Sequence, residues 1–250
     1  MQLLSGDARR AVFAALDDGA LRSEAVVRRV GSAIALGLLA DGEQLPAEAE
    51  LATMLNVSTV TLREALAYLR ELGLVETRRG RGGGSFVRSR DDVLAGLAGV
   101  RLAELATTDL RELGEVHGAV AAAAARLAAS RASGREIVRL REVVDRLARA
   151  ESVTAQRRDE GRYYVEVAAC AQSVRLTRQE MDLHLELAQL PWPPAADPLL
   201  LATIVASHRA VVEAIEQRDP ARARILTEEH IDLRTRWSID LSLQRTRDVS

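Results

Sequence analysis

The chain has 250 residues, a formal net charge of −2, 48% hydrophobic residues and only 3% aromatic residues. This composition suffices for one large domain or two ordinary ones, with a core of Leu, Val and Ala side chains. The near-neutral charge excludes a general polycation, so any binding to nucleic acid has to come from a local patch. All 34 basic residues are arginine, whose planar guanidinium suits phosphate groups and guanine edges.

The cysteine content and the hydropathy pattern indicate where the protein works. Cys170 is the single cysteine, which excludes an intramolecular disulfide and favours a reducing compartment. No apolar run reaches the roughly 18 residues that a membrane span needs. The first residues lack the basic start and apolar stretch of a signal peptide. We therefore expect a cytoplasmic protein with no membrane partner.

After a lead-in over residues 1–21, the chain shows short helical patterns and then two strand-like segments. Apolar residues at helical spacing predict three helices, over residues 22–40, 46–55 and 59–72. Ser58 can cap the third helix and Gly73 can end it. The segments "LVETRR" and "GSFVRS" predict two short strands that flank a glycine-rich turn.

Beyond residue 90 the pattern is helical throughout, with no strand signal. Helical periodicity predicts seven helices, near residues 91–104, 108–131, 134–151, 155–172, 174–190, 198–218 and 220–242. The segments "ASGR" and "PWPP" and the Asp219-Pro220 pair interrupt the pattern. The sequence therefore predicts a mostly α fold with a small mixed domain over residues 22–90 and an all-α helical bundle over residues 91–245.

The segment "RRGRGGGSFV" (residues 78–87) places four glycines among three arginines. A phosphate-binding P-loop needs a lysine, which the chain lacks, and a dinucleotide-binding turn needs a following helix. A flexible hairpin tip is a further reading. The two helices joined by "NVS", however, have helix-turn-helix spacing, and the hairpin that follows would be the wing of a winged helix.

A winged helix predicts which side chains contact double-stranded DNA. The second helix of such a unit presents its N-terminal side chains to the major groove, here Ser58, Thr59, Thr61 and Arg63. The wing tip can approach the phosphates and the minor groove through Arg78, Arg79, Gly80 and Arg81. Asp and Glu are absent from residues 77–90, so we expect a locally basic patch.

Residues 42–87, "GEQLPAEAELATMLNVSTVTLREALAYLRELGLVETRRGRGGGSFV", closely resemble the winged helix of GntR-family bacterial transcription regulators. The resemblance implies that Arg63 is the DNA-reading arginine of the recognition helix and that Gly80 is the wing-tip glycine that enters the minor groove. Ala47 stands where the family often has a capping serine. Ala49 and Thr59 stand where it often has arginine, so weaker phosphate contacts are expected there.

The later helices resemble the FCD (FadR C-terminal) effector domain, most clearly in "ARLAASRAS", "RYYVEVAACAQSVRL", "SHRAVVEAIEQRDPARA" and "EEHI". Many FCD domains bind one divalent metal through D-x-x-x-H on one helix and two later histidines. The resemblance places Glu160 and Tyr164 in the first motif, and His208 and His230 in the later positions. It therefore implies a zinc-like ion on Glu160, His208 and His230, with Tyr164 in the usual histidine position.

The other two histidines, His117 and His184, are expected in different places. His117 stands where family members often carry an arginine that faces a ligand carboxylate, so it is expected to line the effector pocket with Glu160, Tyr164, His208 and His230. If no metal binds, protonated histidines could hold an anionic effector, because imidazole titrates near pH 6.5. His184 is expected on a helix surface.

These motifs predict a DNA-binding transcription regulator that is not an enzyme. Its expected properties are repression at a palindromic operator, control by a small organic acid, and a symmetric homodimer. A metal hydrolase is the competing enzymatic reading, but the sequence offers no activated nucleophile and no HExxH-type ligand cluster. A nucleoid protein or regulator with a vestigial pocket is the alternative reading.

Overall fold

A computed structural model describes residues 12–13, 22–80, 82–88, 106–187, 190 and 198–248. The described residues form nine helices and one two-stranded antiparallel sheet. In chain order the elements are α1 (Arg22–Ala35), α2 (Glu48–Leu55), α3 (Thr59–Glu71), β1 (Val75–Arg78), β2 (Gly84–Val87), α4 (Thr107–Arg131), α5 (Gly134–Ala148), α6 (Val153–Cys170), α7 (Val174–Leu187), α8 (Pro198–Glu216) and α9 (Pro220–Asp248).

The predicted mostly α fold is confirmed, and the element bounds differ from the prediction mainly at helix ends. The first helix was predicted to reach residue 40 but ends at Ala35, because Gly37 adopts a φ of +61° and the chain turns there. Conversely, α9 continues past residue 242 to Asp248. The helix predicted over residues 91–104 lies outside the described residues.

The winged helix is built from α1 to α3 and the β1–β2 hairpin. Its core is formed by fully buried side chains, among them Ile34, Leu51, Leu55, Leu62, Leu66 and Leu69. The hairpin pairs Val75 with Val87 and Arg78 with Gly84. The segment before α2 also joins the sheet, because the Leu45 amide donates to the Ser85 carbonyl at 2.9 Å. The wing is therefore fixed to the helices at its base.

The helices α4 to α9 form a bundle in which α9 packs most extensively against α4. A buried cluster rich in alanine on α4 faces leucine, valine and isoleucine side chains of α5 and α8. Small side chains on α4 let its neighbours approach closely, which leaves the larger polar side chains of α6, α8 and α9 enclosed. No helix in the described part of the chain is both long enough and apolar enough to cross a membrane.

The bundle and the winged helix share buried apolar surface through α6 and α7. Val165 and Ala169 of α6 and Met181 of α7 belong to the same buried cluster as the core of α1 to α3. Beside this contact, Arg29 of α1 lies 3.6 Å from the Asp182 carboxylate of α7. These contacts place α6 and α7 between the winged helix and the interior of the bundle.

Candidate DNA interface and buried histidine cluster

The N-terminal turn of α3 presents the side chains that the sequence assigned to the major groove. Ser58 caps the helix, since its Oγ accepts a hydrogen bond from the Thr61 amide at 3.0 Å. Ser58, Thr59 and Arg63 are exposed, and Thr61 is partly exposed. The Arg63 side chain is 67% exposed, and its Nε donates to Glu48 Oε2 at 2.8 Å. Glu48 thus holds the guanidinium of Arg63 at the surface between α2 and α3.

The wing tip has a backbone that only glycines adopt easily. Gly80 has a φ of +100° and is exposed, a conformation that costs an L-residue free energy. The neighbouring Arg79 is also exposed. Gly80 and Arg79 are therefore placed where a wing could enter a groove. Arg81 lies outside the described residues.

The wing is less basic than the run of residues 77–90 suggests. Arg78 Nε donates to Glu76 Oε1 and Arg88 Nε donates to Glu76 Oε2, each at 2.7 Å. Hydrogen bonds first from Arg78 and then from Arg88 lower the pKa of the Glu76 carboxyl. The guanidinium carbon of Arg78 also lies 4.2 Å from the centroid of the Phe86 ring. Arg78 is therefore engaged on the sheet, whereas Arg79 is exposed at the tip.

The five side chains assigned to the effector pocket converge inside the bundle. They come from four helices, namely α4 (His117), α6 (Glu160 and Tyr164), α8 (His208) and α9 (His230), and each is at most 4% exposed. The His208 and His230 ring centroids lie 4.7 Å apart, and the His117 and Tyr164 centroids also lie 4.7 Å apart. The two later histidines are therefore close enough to share one ligand.

A first group within this cluster consists of Glu160, His208 and His230. Glu160 Oε1 lies 3.9 Å from His208 Nε2 and 4.0 Å from His230 Nε2. Among the described residues, His208 Nε2 and both ring nitrogens of His230 have no hydrogen-bond partner. The same Glu160 oxygen lies 2.5 Å from a guanidinium nitrogen of Arg234. An arginine thus neutralises the carboxylate on which a metal was predicted.

A second group, which the sequence analysis did not foresee, consists of His117, Glu180 and His184. Glu180 Oε2 lies 3.4 Å from His117 Nε2 and 3.6 Å from His184 Nε2. The prediction that His184 sits on a helix surface is wrong, because the residue is only 5% exposed. It is buried because α7 is covered on one side by α1 and on the other by α4 and α6. Tyr164 lies between the two groups, with its ring centroid 5.1 Å from that of His184 and 5.5 Å from that of His208.

Burial sets the protonation of the cluster. Desolvation, then the charge of Arg234, lowers the pKa of His117 to about 3, and desolvation also lowers the pKa of His184, His208 and His230. These shifts favour neutral imidazoles and argue against protonated histidines as the groups that hold an anion, which stays a prediction. Neutral imidazoles are metal ligands and hydrogen-bonding groups instead.

The acidic groups and the phenol respond to the same burial in different ways. Burial alone would raise the pKa of Glu160, but Arg234 and then His230 hold that pKa below its usual value. No arginine of the described residues pairs with Glu180, and desolvation raises its pKa to about 8. Desolvation also raises the pKa of Tyr164 well above its usual value, so its hydroxyl is a neutral phenol and a poor metal ligand.

Sequence reasoning missed Glu180 and Arg234, although a signal for each was present. Glu180 and His184 are four residues apart on α7, and His230 and Arg234 are four residues apart on α9. Such pairs lie on one helix face, but the same spacing is common in exposed ion pairs. The distinguishing fact is burial, which depends on the neighbouring helices.

The chain resembles known proteins over both parts. Residues 22–84 match the family model "Bacterial regulatory proteins, gntR family", and residues 112–233 match the FCD domain. Over 215 residues the chain is 41% identical to the HTH-type transcriptional regulator RmpR of Mycobacterium gastri, which covers 84% of this chain and 77% of that protein. It is 27% identical to the HTH-type transcriptional repressor NanR of Citrobacter rodentium, over 77% of this chain and 75% of NanR.

A solved structure agrees with the fold. E. coli McbR/YncC superposes with a TM-score of 0.51 at 16% identity, over 91% of this chain and 100% of that one. At this identity the likeness establishes a shared arrangement of winged helix and helical bundle and nothing finer.

Proposed function

The chain belongs to the GntR family of bacterial transcription regulators and carries an FCD domain, and we propose that it represses transcription from a palindromic operator until a small effector enters its bundle. In this proposal residues 22–90 read the DNA, and residues 91–245 bind the effector and dimerise. The relative named as a repressor, NanR, supports repression. A regulator of chromosomal operators works in the cytoplasm, which is the location we propose.

The observation that carries the proposal is the joint presence of an exposed reading surface and an enclosed polar cluster in one chain. On the DNA side, the proposed contacts are Ser58, Thr59, Thr61, Arg63, Arg78, Arg79, Gly80 and Arg81. The exposed first turn of α3 and the glycine-rich wing tip support this assignment. On the effector side, a bundle core needs no buried histidines for stability, and polar groups without hydrogen bonds lower stability. A ligand that completes their bonds explains why they are there.

We propose a small organic acid as the class of effector, with one divalent metal on Glu160, His208 and His230. Donor type supports the metal, since two neutral imidazoles and a carboxylate suit zinc or a similar ion. Such an ion has to displace Arg234, which lies 2.5 Å from Glu160 Oε1. The displaced guanidinium can then pair with the carboxylate of the effector, because arginine and carboxylate form strong charge-assisted hydrogen bonds.

Operator binding is the direct test. Purified protein is titrated onto its own upstream DNA by fluorescence anisotropy, with a scrambled duplex as control, and then small organic acids are added with and without zinc. We expect specific binding that one acid weakens. If neither an acid nor a metal changes the specific binding, the alternative of a regulator with a vestigial pocket is favoured. The Arg234–Glu160 ion pair supports that alternative, because it already satisfies the carboxylate without a ligand. Equal affinity for both duplexes would contradict operator reading itself.

The symmetric homodimer is tested in the same material. One winged helix contacts too little DNA for high specificity, and two-fold related readers bind two-fold related half-sites. We expect a dimer in sedimentation at micromolar concentration and a footprint with two related halves. A monomer together with a single-half footprint would contradict the proposal.

A further inference from the structure

We propose that His117, Glu180 and His184 form a second divalent-metal site, distinct from the group around Glu160. The proposal concerns only metal binding and holds whether or not the ion controls DNA affinity. It rests on the positions of three buried donor atoms from three residues, His117 Nε2, Glu180 Oε2 and His184 Nε2. The ligand class is zinc or a similar transition-metal ion, because two imidazoles and one carboxylate are the donors that such ions prefer.

The distances fit a metal better than they fit hydrogen bonds. A tetrahedral zinc with bonds of about 2.1 Å separates neighbouring ligand atoms by about 3.4 Å. Glu180 Oε2 lies 3.4 Å from His117 Nε2 and 3.6 Å from His184 Nε2. A direct N–H···O hydrogen bond would bring these atoms to about 2.7–3.2 Å. The three donor atoms also all lie within 4.8 Å of one another.

The donor atoms have no hydrogen-bond partner within the described part of the chain. Among the described residues, His117 Nε2, His184 Nε2 and both carboxylate oxygens of Glu180 lack a hydrogen-bond partner. Glu180 is 0% exposed, so water does not solvate it from the surface, and in the described part of the chain only the two histidines lie within ion-pair distance of it. A bound cation would give these buried polar atoms the partners that they lack.

The second group lacks the obstacle that the first one has. At Glu160 an arginine occupies the candidate ligand oxygen, at 2.5 Å, and the oxygen-to-nitrogen separations are 3.9 and 4.0 Å. At Glu180 no arginine is within ion-pair distance among the described residues, and the separations are shorter. We therefore expect the second group to hold the tighter ion. Three protein ligands leave a fourth position for water or another ligand.

Zinc binding to matched variants separates the two groups. Metal-free protein is titrated with zinc against a competing chelator, and the same titration is run on Glu180→Gln, His184→Gln and His208→Gln. We expect the tightest ion to bind at least tenfold more weakly in Glu180→Gln and His184→Gln and to be unchanged in His208→Gln. Loss of that ion in His208→Gln with retention in Glu180→Gln would assign it to the first group and overturn the proposal.

A variant that gains a spectroscopic signal tests the site without relying on loss of binding, which poor folding could also cause. His184→Cys places a thiol at the proposed ligand position, and cobalt bound by a thiolate gives a near-ultraviolet charge-transfer band. The wild type is the baseline, since its single cysteine, Cys170, is buried elsewhere in the bundle core. We expect the band in His184→Cys with cobalt, and its absence from the wild type. A variant with unchanged thermal unfolding, one bound cobalt and no band would refute ligation by residue 184.

Discussion

At the scale of single residues, substitution of Arg63 tests whether the start of α3 reads DNA bases or is only a solvated helix face. Its guanidinium is 67% exposed and oriented by Glu48, and it belongs to the first half of α3. Arg63→Ala should weaken operator binding by about 1–3 kcal/mol, as loss of a base-reading arginine does. Anisotropy titration on operator and scrambled DNA measures this.

Arg70→Ala supplies the matched control for Arg63→Ala. It removes the same charge from the last turn of the same helix, where Arg70 donates to Thr77 Oγ1 at 3.3 Å. We expect little change in operator affinity from this control. Equal losses in both variants would show that α3 contributes only general charge.

In the proposal of a metal at the first histidine group, Tyr164 stands where a further ligand would be. Its phenol is buried and neutral, whereas a histidine there would add a neutral imidazole beside Glu160, four residues earlier on α6. Tyr164→His should therefore tighten zinc binding at the first group by at least tenfold, measured by competition with a chelator in a Glu180→Gln background that disables the second group. Tyr68→His on α3, where the tyrosine is 51% exposed, is the control. An unchanged zinc affinity in Tyr164→His would remove Glu160 and its partners from consideration as a metal site.

Residue roles could be predicted from the sequence only where a motif supplied the position. The FCD motif indicated His208 and His230, and the structure brings their ring centroids to 4.7 Å. Glu180 and His184 belong to no such motif. Their burial arises from packing between helices distant in sequence, and an i, i+4 acid–histidine pair reads equally well as an exposed ion pair.

At the scale of elements, the wing places two adjacent arginines, Arg78 and Arg79, in different surroundings. Arg79→Ala should lower the slope of log affinity against log salt by about 1, because one phosphate contact and its released counterion are lost. Arg78→Ala should change the slope less, since Arg78 already pairs with Glu76 and lies over Phe86. Operator titrations at several salt concentrations measure both slopes. The reverse order would mean that Arg78 leaves Glu76 on binding DNA.

Helices and strands were predictable because their signals are local. Ser58 and Ser133 cap α3 and α5 through their side-chain oxygens, and Pro220 begins α9, as such residues usually do. The end of α1 was less predictable. Apolar residues continue at helical spacing after Ala35, but Leu38 and Leu39 are buried from a turn in which their amides both donate to the Ala33 carbonyl.

At the scale of the whole molecule, α7 faces two environments. Glu180 and His184 face the interior of the bundle, while Met181 packs with the core of the winged helix and Asp182 lies near Arg29. The packing between the two parts of the chain could not be predicted, because it depends on complementary apolar surfaces rather than on any local pattern. A shift of α7 caused by a ligand would therefore reach α1 directly, through contacts between neighbouring side chains.

Gly161 of α6 lies within this packing. A Cβ built on Gly161 would overlap Leu36 Cδ2, just after α1, and would lie 3.4 Å from His184 Nδ1. Gly161→Ala should therefore displace the Leu36 side chain from its place between α6 and the winged helix. Gly134→Ala, where an added Cβ meets nothing within 4 Å, is the control. We expect Gly161→Ala to alter operator affinity without any ligand, in a titration where Gly134→Ala binds as the wild type does.

The close contact at Gly161 predicts which mutants a genetic screen should yield. In a reporter strain, mutants that no longer respond to the inducing compound are usually sought among residues that touch it or touch DNA. Here a third class should appear, in which the operator and the inducer are still recognised but the two events are uncoupled. Such alleles should map to the small residues of α6 and to the side chains of α7 that face α1. If the chain represses as proposed, selection for mutants that stay repressed when the effector is present would thus locate the contact between the winged helix and the bundle.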